Sequence, residues 1–154
     1  MIAYLGLGTN LGAKEDNLLR AIEEIHKRVG PVKVQSSFIS TRPWGFDSQN
    51  EFLNAVVKVE TNLDPFGLLD VTQEIERLMG RERKSVDGEY HDRVIDIDIL
   101  VYGDSFINTP RLTIPHPLLS QRLFVLQPLA EIAPELTPPH CDFTVEEMIK
   151  RLTY

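Results

Sequence analysis

The stretch "RVIDIDIL", residues 93–100, sets two carboxylates, Asp96 and Asp98, among Ile95, Ile97, Ile99 and Leu100. Along a strand, residues two apart face the same side at a spacing of about 6.6 Å, so both carboxylates can lean toward one point above a sheet. Aspartate forms strands poorly, and two like charges side by side repel unless a cation lies between them. Magnesium, as one ion or a pair, would supply that charge, because hard cations take carboxylate oxygens and keep positions open for phosphate. A half-buried strand with one solvated face would also carry these aspartates, and so short a motif fits either arrangement.

The neighbouring charges bear on that choice. Arg93 precedes Asp96 by three residues, and Arg81, Arg83, Lys84, His116 and Arg122 flank the pair. A metal with arginines binds and polarises a polyphosphate, since both neutralise charge on the transferring group. Taken singly, each basic residue suits a solvated surface equally well, and His116, between two prolines, suits a turn. There is no GxxxxGK[ST], which excludes a P-loop. "GLGTNLG" presents Gly6, Gly8 and Gly12 one residue off the dinucleotide fingerprint, with no supporting ribose acid evident. It reads as a tight strand-to-helix turn with Asn10 as a local cap, so a nucleotide site would be built from the arginines and the metal. Phe52 and Asn54 lie two apart, and Phe124 follows Arg122 at the same spacing. Two aromatic faces can sandwich a flat ring while the Asn54 amide reads its edge; both phenylalanines would equally serve a core.

These residues need elements to position them. "IAYLGLG" (2–8) is short, apolar and glycine-bounded, as a buried strand is. Over 14–29, Leu18, Ile22, Ile25 and Val29 share one helical face. "VKVQSSFI" (32–39) and "NAVVKVET" (54–61) predict strands separated by the punctuated segment 40–51. Asp64 offers an N-cap with Pro65 at the first helical position, Leu68, Val71, Ile75 and Leu78 supply the face, and Gly80 ends the helix. Residues 81–93 read as loop, 95–102 as the fourth strand, and Pro110, Pro115 and Pro117 mark a turn-rich region. Thr144 with Glu147 makes a capping box for a last helix through Leu152. The order βαββαβ predicts an α+β, ferredoxin-like core: an antiparallel sheet with helices packed on it and C-terminal additions. So widely shared a fold leaves function to the site.

Composition sets outer limits. A chain of 154 residues suits a single domain spanning 1–154, with 42% apolar and 25% charged residues. The start lacks a basic region or a cleavage-like site, and no apolar run reaches the ~18 residues of a membrane span, so a cytoplasmic enzyme without a membrane partner is expected. The lone Cys141 excludes an internal disulfide, in keeping with a reducing compartment. A net charge of -7 argues against nucleic acid as a partner. Between residues 77 and 122, however, Arg77, Arg81, Arg83, Lys84, Arg93, Arg111 and Arg122 balance Glu82, Asp87, Glu89, Asp92, Asp96, Asp98 and Asp104. The arginines collect where the aspartate pair is. This surface is compatible with a monomer.

"LGLGTNLG", "TRPWG", "FLNAVV", "QEIERLMGRERK", "RVIDIDIL" and "RLTIPHPLLSQRLFVLQPLAEIAPEL" occur in this order. Together they resemble the 6-hydroxymethyl-7,8-dihydropterin pyrophosphokinases of folate biosynthesis, over about residues 2–136. The resemblance implies a ferredoxin-like enzyme that moves the β,γ-diphosphate of ATP to the pterin's hydroxymethyl oxygen and releases AMP. It further implies that Asp96 and Asp98 hold two magnesium ions bridging the phosphates of ATP. Arg81 and Arg93 would contact phosphates as loops close, and Gln73, Glu76, Arg83, Lys84, Ile99, Arg111, Thr113, His116 and Arg122 would line the nucleotide site. Pterin would stack between Phe52 and Phe124, with Thr41, Pro43, Trp44 and Asn54 completing its pocket. Two departures stand out: "GEYHD" replaces the Trp-Gly-Pro-like stretch that many members carry before Arg93, and position 52 holds phenylalanine where tyrosine is frequent. No general base stands out, and loops at 41–51 and 81–92 are expected to exclude water.

Overall fold

A computed structural model describes residues 1–41, 51–80 and 94–153. The first strand, β1 (Ile2–Thr9), lies between β4 (Phe52–Glu60) and β5 (Asp96–Tyr102), antiparallel to both. On the far side of β4, β2 (Val32–Gln35) pairs antiparallel, giving the order β2-β4-β1-β5. Two further strands were not separated in the sequence pattern. The stretch 32–39 divides because Ser36 leaves the regular ladder: its N–H donates to Val56 O at 2.9 Å, and its hydroxyl accepts the Val56 N–H at 2.9 Å. The chain then re-enters as β3 (Ile39–Thr41), which pairs with residues 52–54 of β4. A hairpin of β6 (Ile107–Asn108) and β7 (Thr113–Ile114) follows β5.

Helices cover both faces of the sheet. α1 (Lys14–Arg28) and α2 (Pro65–Leu78) bury Leu18, Ile22, Ile25, Leu68 and Ile75 against Leu5, Leu7, Val57, Ile97 and Ile99. The Asp64 carboxylate caps α2 by accepting the Gly67 N–H at 2.9 Å, and Gly80 leaves it with φ +103. The buried stripe of α2 runs through Leu68, Thr72, Ile75, Glu76 and Met79, and the expected Leu78 is 50% exposed. That spacing follows the 3.6-residue turn more closely than the sequence choice of 68, 71, 75 and 78. α1 starts after Ala13, which gives it no side-chain cap, and the Asn17 amide binds Thr9 Oγ1 at 3.1 Å and Leu11 O at 2.8 Å.

The opposite face is covered by α3 (Leu123–Ile132) and α4 (Val145–Thr153), which bury Val125, Leu126, Leu129, Val145 and Met148 over Tyr4, Val56, Leu100 and Val101. α4 begins at the expected capping box, with Thr144 N–H to Glu147 Oε1 at 2.9 Å and Glu147 N–H to Thr144 Oγ1 at 3.1 Å. α3 was not expected from the sequence; it contains Pro128, and its apolar residues surround it too fully to leave a stripe. A register shift leaves Leu100 as an extra residue, since Tyr4 pairs with Val101 and Leu5 with Ile99. Leu100 and Val101 thereby both face α3 and α4, while Ile95, Ile97 and Ile99 face α1 and α2. No helix among the described residues is long and apolar enough to cross a membrane.

Candidate active site

Alternation along β5 sends Asp96 and Asp98 to the face opposite the isoleucines, both half-buried at the end of the sheet. The register completes the site. Asp96 lies opposite Gly8 and Asp98 opposite Gly6, and on the other flank of β1, Gly8 lies opposite Asn54. Partners in a ladder point to the same face, so Gly6 and Gly8 form a glycine floor between the aspartates on β5 and Asn54 and Phe52 on β4, with the Leu100 side chain lying over Gly6. A Cβ added at Gly8 would sit 3.1 Å from Asn54 Oδ1 and 3.6 Å from Phe52 Cδ1; one at Gly6 would sit 3.3 Å from Leu100. The two glycines therefore belong to the strand and not to the turn, which falls at Gly12 with φ +71.

The wall beyond the floor is polar and fixed. Asn54, 5% exposed, donates from Nδ2 to Thr41 Oγ1 at 2.8 Å and more weakly to Ile39 O at 3.4 Å. Its Oδ1 is thereby turned toward Gly8 as an acceptor above the floor. Opposite stands the start of α3: Arg122, 8% exposed, precedes the helix, and its Cζ lies 5.6 Å from the ring centroid of Phe124 in the first turn. Thr41, Arg122 and Phe124, with Gln121, Leu123, Gln127 and Leu152, line an open cavity of about 370 Å³. The last four residues went unnoticed in the sequence because they depend on α3 and on where α4 ends.

His116 bridges the two sides. Its backbone N–H donates to Leu100 O at 3.0 Å, and its Nδ1 accepts the Leu118 N–H at 3.2 Å, which places the proton of the neutral ring on Nε2. Burial pushes its pKa down to about 4; the Arg122 charge adds to that, and the Asp96 charge opposes it. The sign for stability follows. Above its ordinary value of 6.5 the ring is neutral in folded and unfolded chains alike. Below that, the unfolded chain binds a proton that the folded chain refuses until about pH 4, so stability falls on acidification. Denaturant titrations of the ligand-free protein from about pH 7 to about pH 5 should show a loss of about 1–2 kcal/mol that is absent in His116→Asn.

A second group gathers on the α2 side of β5. The Glu76 carboxylate is buried and its Oε2 accepts the Ile97 N–H at 2.9 Å, with the half-buried Gln73 one turn earlier on the same helix. Arg111 binds Asp70 through Nη2, and its Cζ lies 5.7 Å from the Phe66 ring; Thr113, half-buried, is two residues on in β7. Asp70 was not singled out in the sequence. The Ile99 side chain is 5% exposed and lies in the core under α1 and α2, so only its backbone, along the outer edge of β5, is available to a ligand. Pro43, Trp44, Arg81, Arg83, Lys84 and Arg93 lie outside the described residues.

Among the described residues no three His, Cys, Asp or Glu side chains gather as a metal cage. Two adjacent carboxylates beside the glycine floor fit a different kind of site, in which a hard cation keeps positions for phosphate oxygens and water. Magnesium meets that description, and Asp96 and Asp98 are the residues that would hold it.

The family model described as 7,8-dihydro-6-hydroxymethylpterin-pyrophosphokinase (HPPK) matches residues 4–134. A 2-amino-4-hydroxy-6-hydroxymethyldihydropteridine pyrophosphokinase of Porphyromonas gingivalis is 48% identical over 138 residues, 89% of this chain and 94% of that one. The protein of the same name in Bacillus subtilis is 41% identical over 136 residues, 88% and 80% of the two chains. The folic acid synthesis protein fol1 of Schizosaccharomyces pombe is 38% identical over 98% of this chain, which spans 20% of that protein. Among solved structures, wild-type Plasmodium falciparum HPPK-DHPS with pteroate superposes with a TM-score of 0.80 at 18% identity. It covers 97% of this chain, which spans 44% of that longer one, and the likeness there is one of fold. The matched family model and these relatives together show that the chain belongs to the 7,8-dihydro-6-hydroxymethylpterin-pyrophosphokinase family.

Proposed function

We propose that the chain transfers the β,γ-diphosphate of ATP to the hydroxymethyl oxygen of 6-hydroxymethyl-7,8-dihydropterin, giving the pterin diphosphate and AMP, a step of folate biosynthesis. The observation that carries this reading is the shared face of the sheet. Asp96 and Asp98 stand on one side of the Gly6–Gly8 floor, and Phe52, Asn54 and Thr41 on the other. A flat ring lying on Gly8 between Phe52 and Phe124 would offer an N–H edge to Asn54 Oδ1 and point its substituent toward the aspartates. Sequence relatives with the pyrophosphokinase name support the same activity.

In this mechanism the protein supplies alignment and charge. Magnesium held by Asp96 and Asp98 would neutralise and template the phosphates. The neutral His116, with its Nε2–H available, and the Arg122 guanidinium donate to phosphate oxygens from the α3 side. Gln73, Arg111, Thr113 and the Ile99 backbone hold the nucleoside along the outer edge of β5. The pterin hydroxyl then meets the β-phosphorus in line with the departing AMP oxygen, which is the positional contribution to the rate.

The assay is direct. Incubation with ATP, magnesium and the hydroxymethyl dihydropterin should yield AMP and pterin diphosphate in equal amounts, and no AMP without the pterin. Phosphate release independent of pterin would mark a phosphohydrolase, and binding without turnover would mark a ligand-binding module; either refutes the transferase.

A further inference from the structure

We propose that Glu76 is a positioning residue for the aspartate pair, its carboxylate fixing the backbone of β5 at the residue between Asp96 and Asp98. The inference rests on the reading of that pair as the magnesium anchor. Sequence resemblance placed Glu76 along the nucleotide; the geometry assigns it elsewhere. It is 8% exposed, and its Oε2 accepts the Ile97 N–H at 2.9 Å.

β5 is the outer strand in the order β2-β4-β1-β5. An outer strand has one row of backbone groups that no neighbouring strand pairs, and such a row needs partners from elsewhere. Glu76 supplies one from α2. The Ile97 side chain, 6% exposed, is locked into the core on the α2 side. Ile97 is therefore held by its side chain and by its amide together. The aspartates on either side of it project to the opposite face, so their relative aim is set by the φ and ψ angles adjoining this one held residue.

The choice of side chain is informative. The other members of the buried stripe on α2 are Leu68, Thr72, Ile75 and Met79, and packing alone would be served by another of their kind. A glutamate is almost never buried unless it is paired. The acceptor oxygen that Glu76 brings to the Ile97 N–H is what an apolar member of the stripe would lack. Partners that orient metal ligands in this indirect way are worth on the order of 10- to 100-fold in metal affinity.

The test compares ATP affinity with Mg²⁺ and with EDTA, by calorimetry on the full chain without pterin. In the wild type Mg²⁺ should strengthen binding. Glu76→Ala should remove at least about tenfold of that strengthening while ATP affinity in EDTA stays within about twofold. Glu76→Gln keeps an acceptor for the Ile97 N–H and should stay within about threefold of wild type. Glu76→Asp keeps a carboxyl group but loses reach, and should behave like Glu76→Ala; it also decides the matter if the alanine variant does not fold. Equal losses with Mg²⁺ and with EDTA would mean direct nucleotide contact and overturn the proposal. So would a Glu76→Gln as impaired as Glu76→Ala, or an unchanged Mg²⁺ effect in Glu76→Ala. A wild type whose ATP affinity ignores Mg²⁺ would remove the metal reading and this proposal with it, a result visible before any substitution is made.

Discussion

Asp96→Ala and Asp98→Ala should each lower turnover by at least about 10³-fold while the circular dichroism spectrum and denaturation midpoint stay close to wild type. The fold tolerates the change because the strand is held by Ile95, Ile97, Ile99 and the bulged Leu100, all of them 6% exposed or less, whereas the aspartates are half-buried and face the glycine floor. Nothing apolar is lost, and replacing one of two like charges two residues apart removes repulsion as readily as support. Activity is another matter. Charge neutralisation on a transferring phosphoryl group is worth several kcal/mol, and a single carboxylate cannot template phosphate from two sides. Asp→Asn at either position, matching shape without charge, should fall nearly as far; rates near wild type in any of these variants would refute the anchor. Steady-state kcat with ATP and the dihydropterin is the measurement.

The sequence was most legible where one period governed each element. Strand alternation in "IDIDIL" placed both aspartates on one face correctly, because every odd residue had a core to enter. Caps at Asp64 and Thr144 were readable because they are local: four consecutive residues contain the whole interaction. α3 was not readable. Pro128 within it and apolar residues on most sides erased the helical stripe, although the segment carries Phe124 into the site. Leu78 was misjudged for a related reason, since a face drawn at 68, 71, 75 and 78 and one drawn at 68, 72, 75 and 79 differ by less than a turn.

The site was legible as a set of residue types and opaque as an arrangement. Asn54 and Thr41 could be named, but the amide's orientation comes from a bond between β3 and β4 that required the break at Ser36. The resemblance sets Ile99 along the nucleotide, and alternation that sends the aspartates outward sends its side chain into the core, which leaves its backbone for that place. Glu76 is the sharper case. Its partner, Ile97 N–H, is a backbone group 21 residues away, and no side-chain pattern in a sequence announces such a bond. Gly6 and Gly8 were read within the strand 2–8 as well as in the glycine run toward the helix, and only the pairing with β4 and β5 reveals them as floor.

That floor leads to the second large effect. Gly8→Val should weaken dihydropterin binding by about 100-fold or more and leave the affinity for magnesium ATP within about threefold. Valine suits a strand, and Gly8 is not among the glycines with positive φ, so the backbone accepts it. The obstacle is what lies above. The new Cβ would already stand 3.1 Å from Asn54 Oδ1 and 3.6 Å from Phe52 Cδ1, and the two methyls would occupy the space in which a flat ring meets both. Asn54 cannot simply retreat, since its Nδ2 is committed to Thr41 Oγ1. Gly8→Ala should be intermediate, about tenfold, because Asn54 can yield a few tenths of an ångström to a single carbon while the added methyl still takes room from the ring. Fluorescence titration with the dihydropterin, beside calorimetry with ATP, separates the two ligands. Equal losses for both would indicate a disturbed sheet, and unchanged pterin affinity in Gly8→Val would show that the ring does not rest on β1.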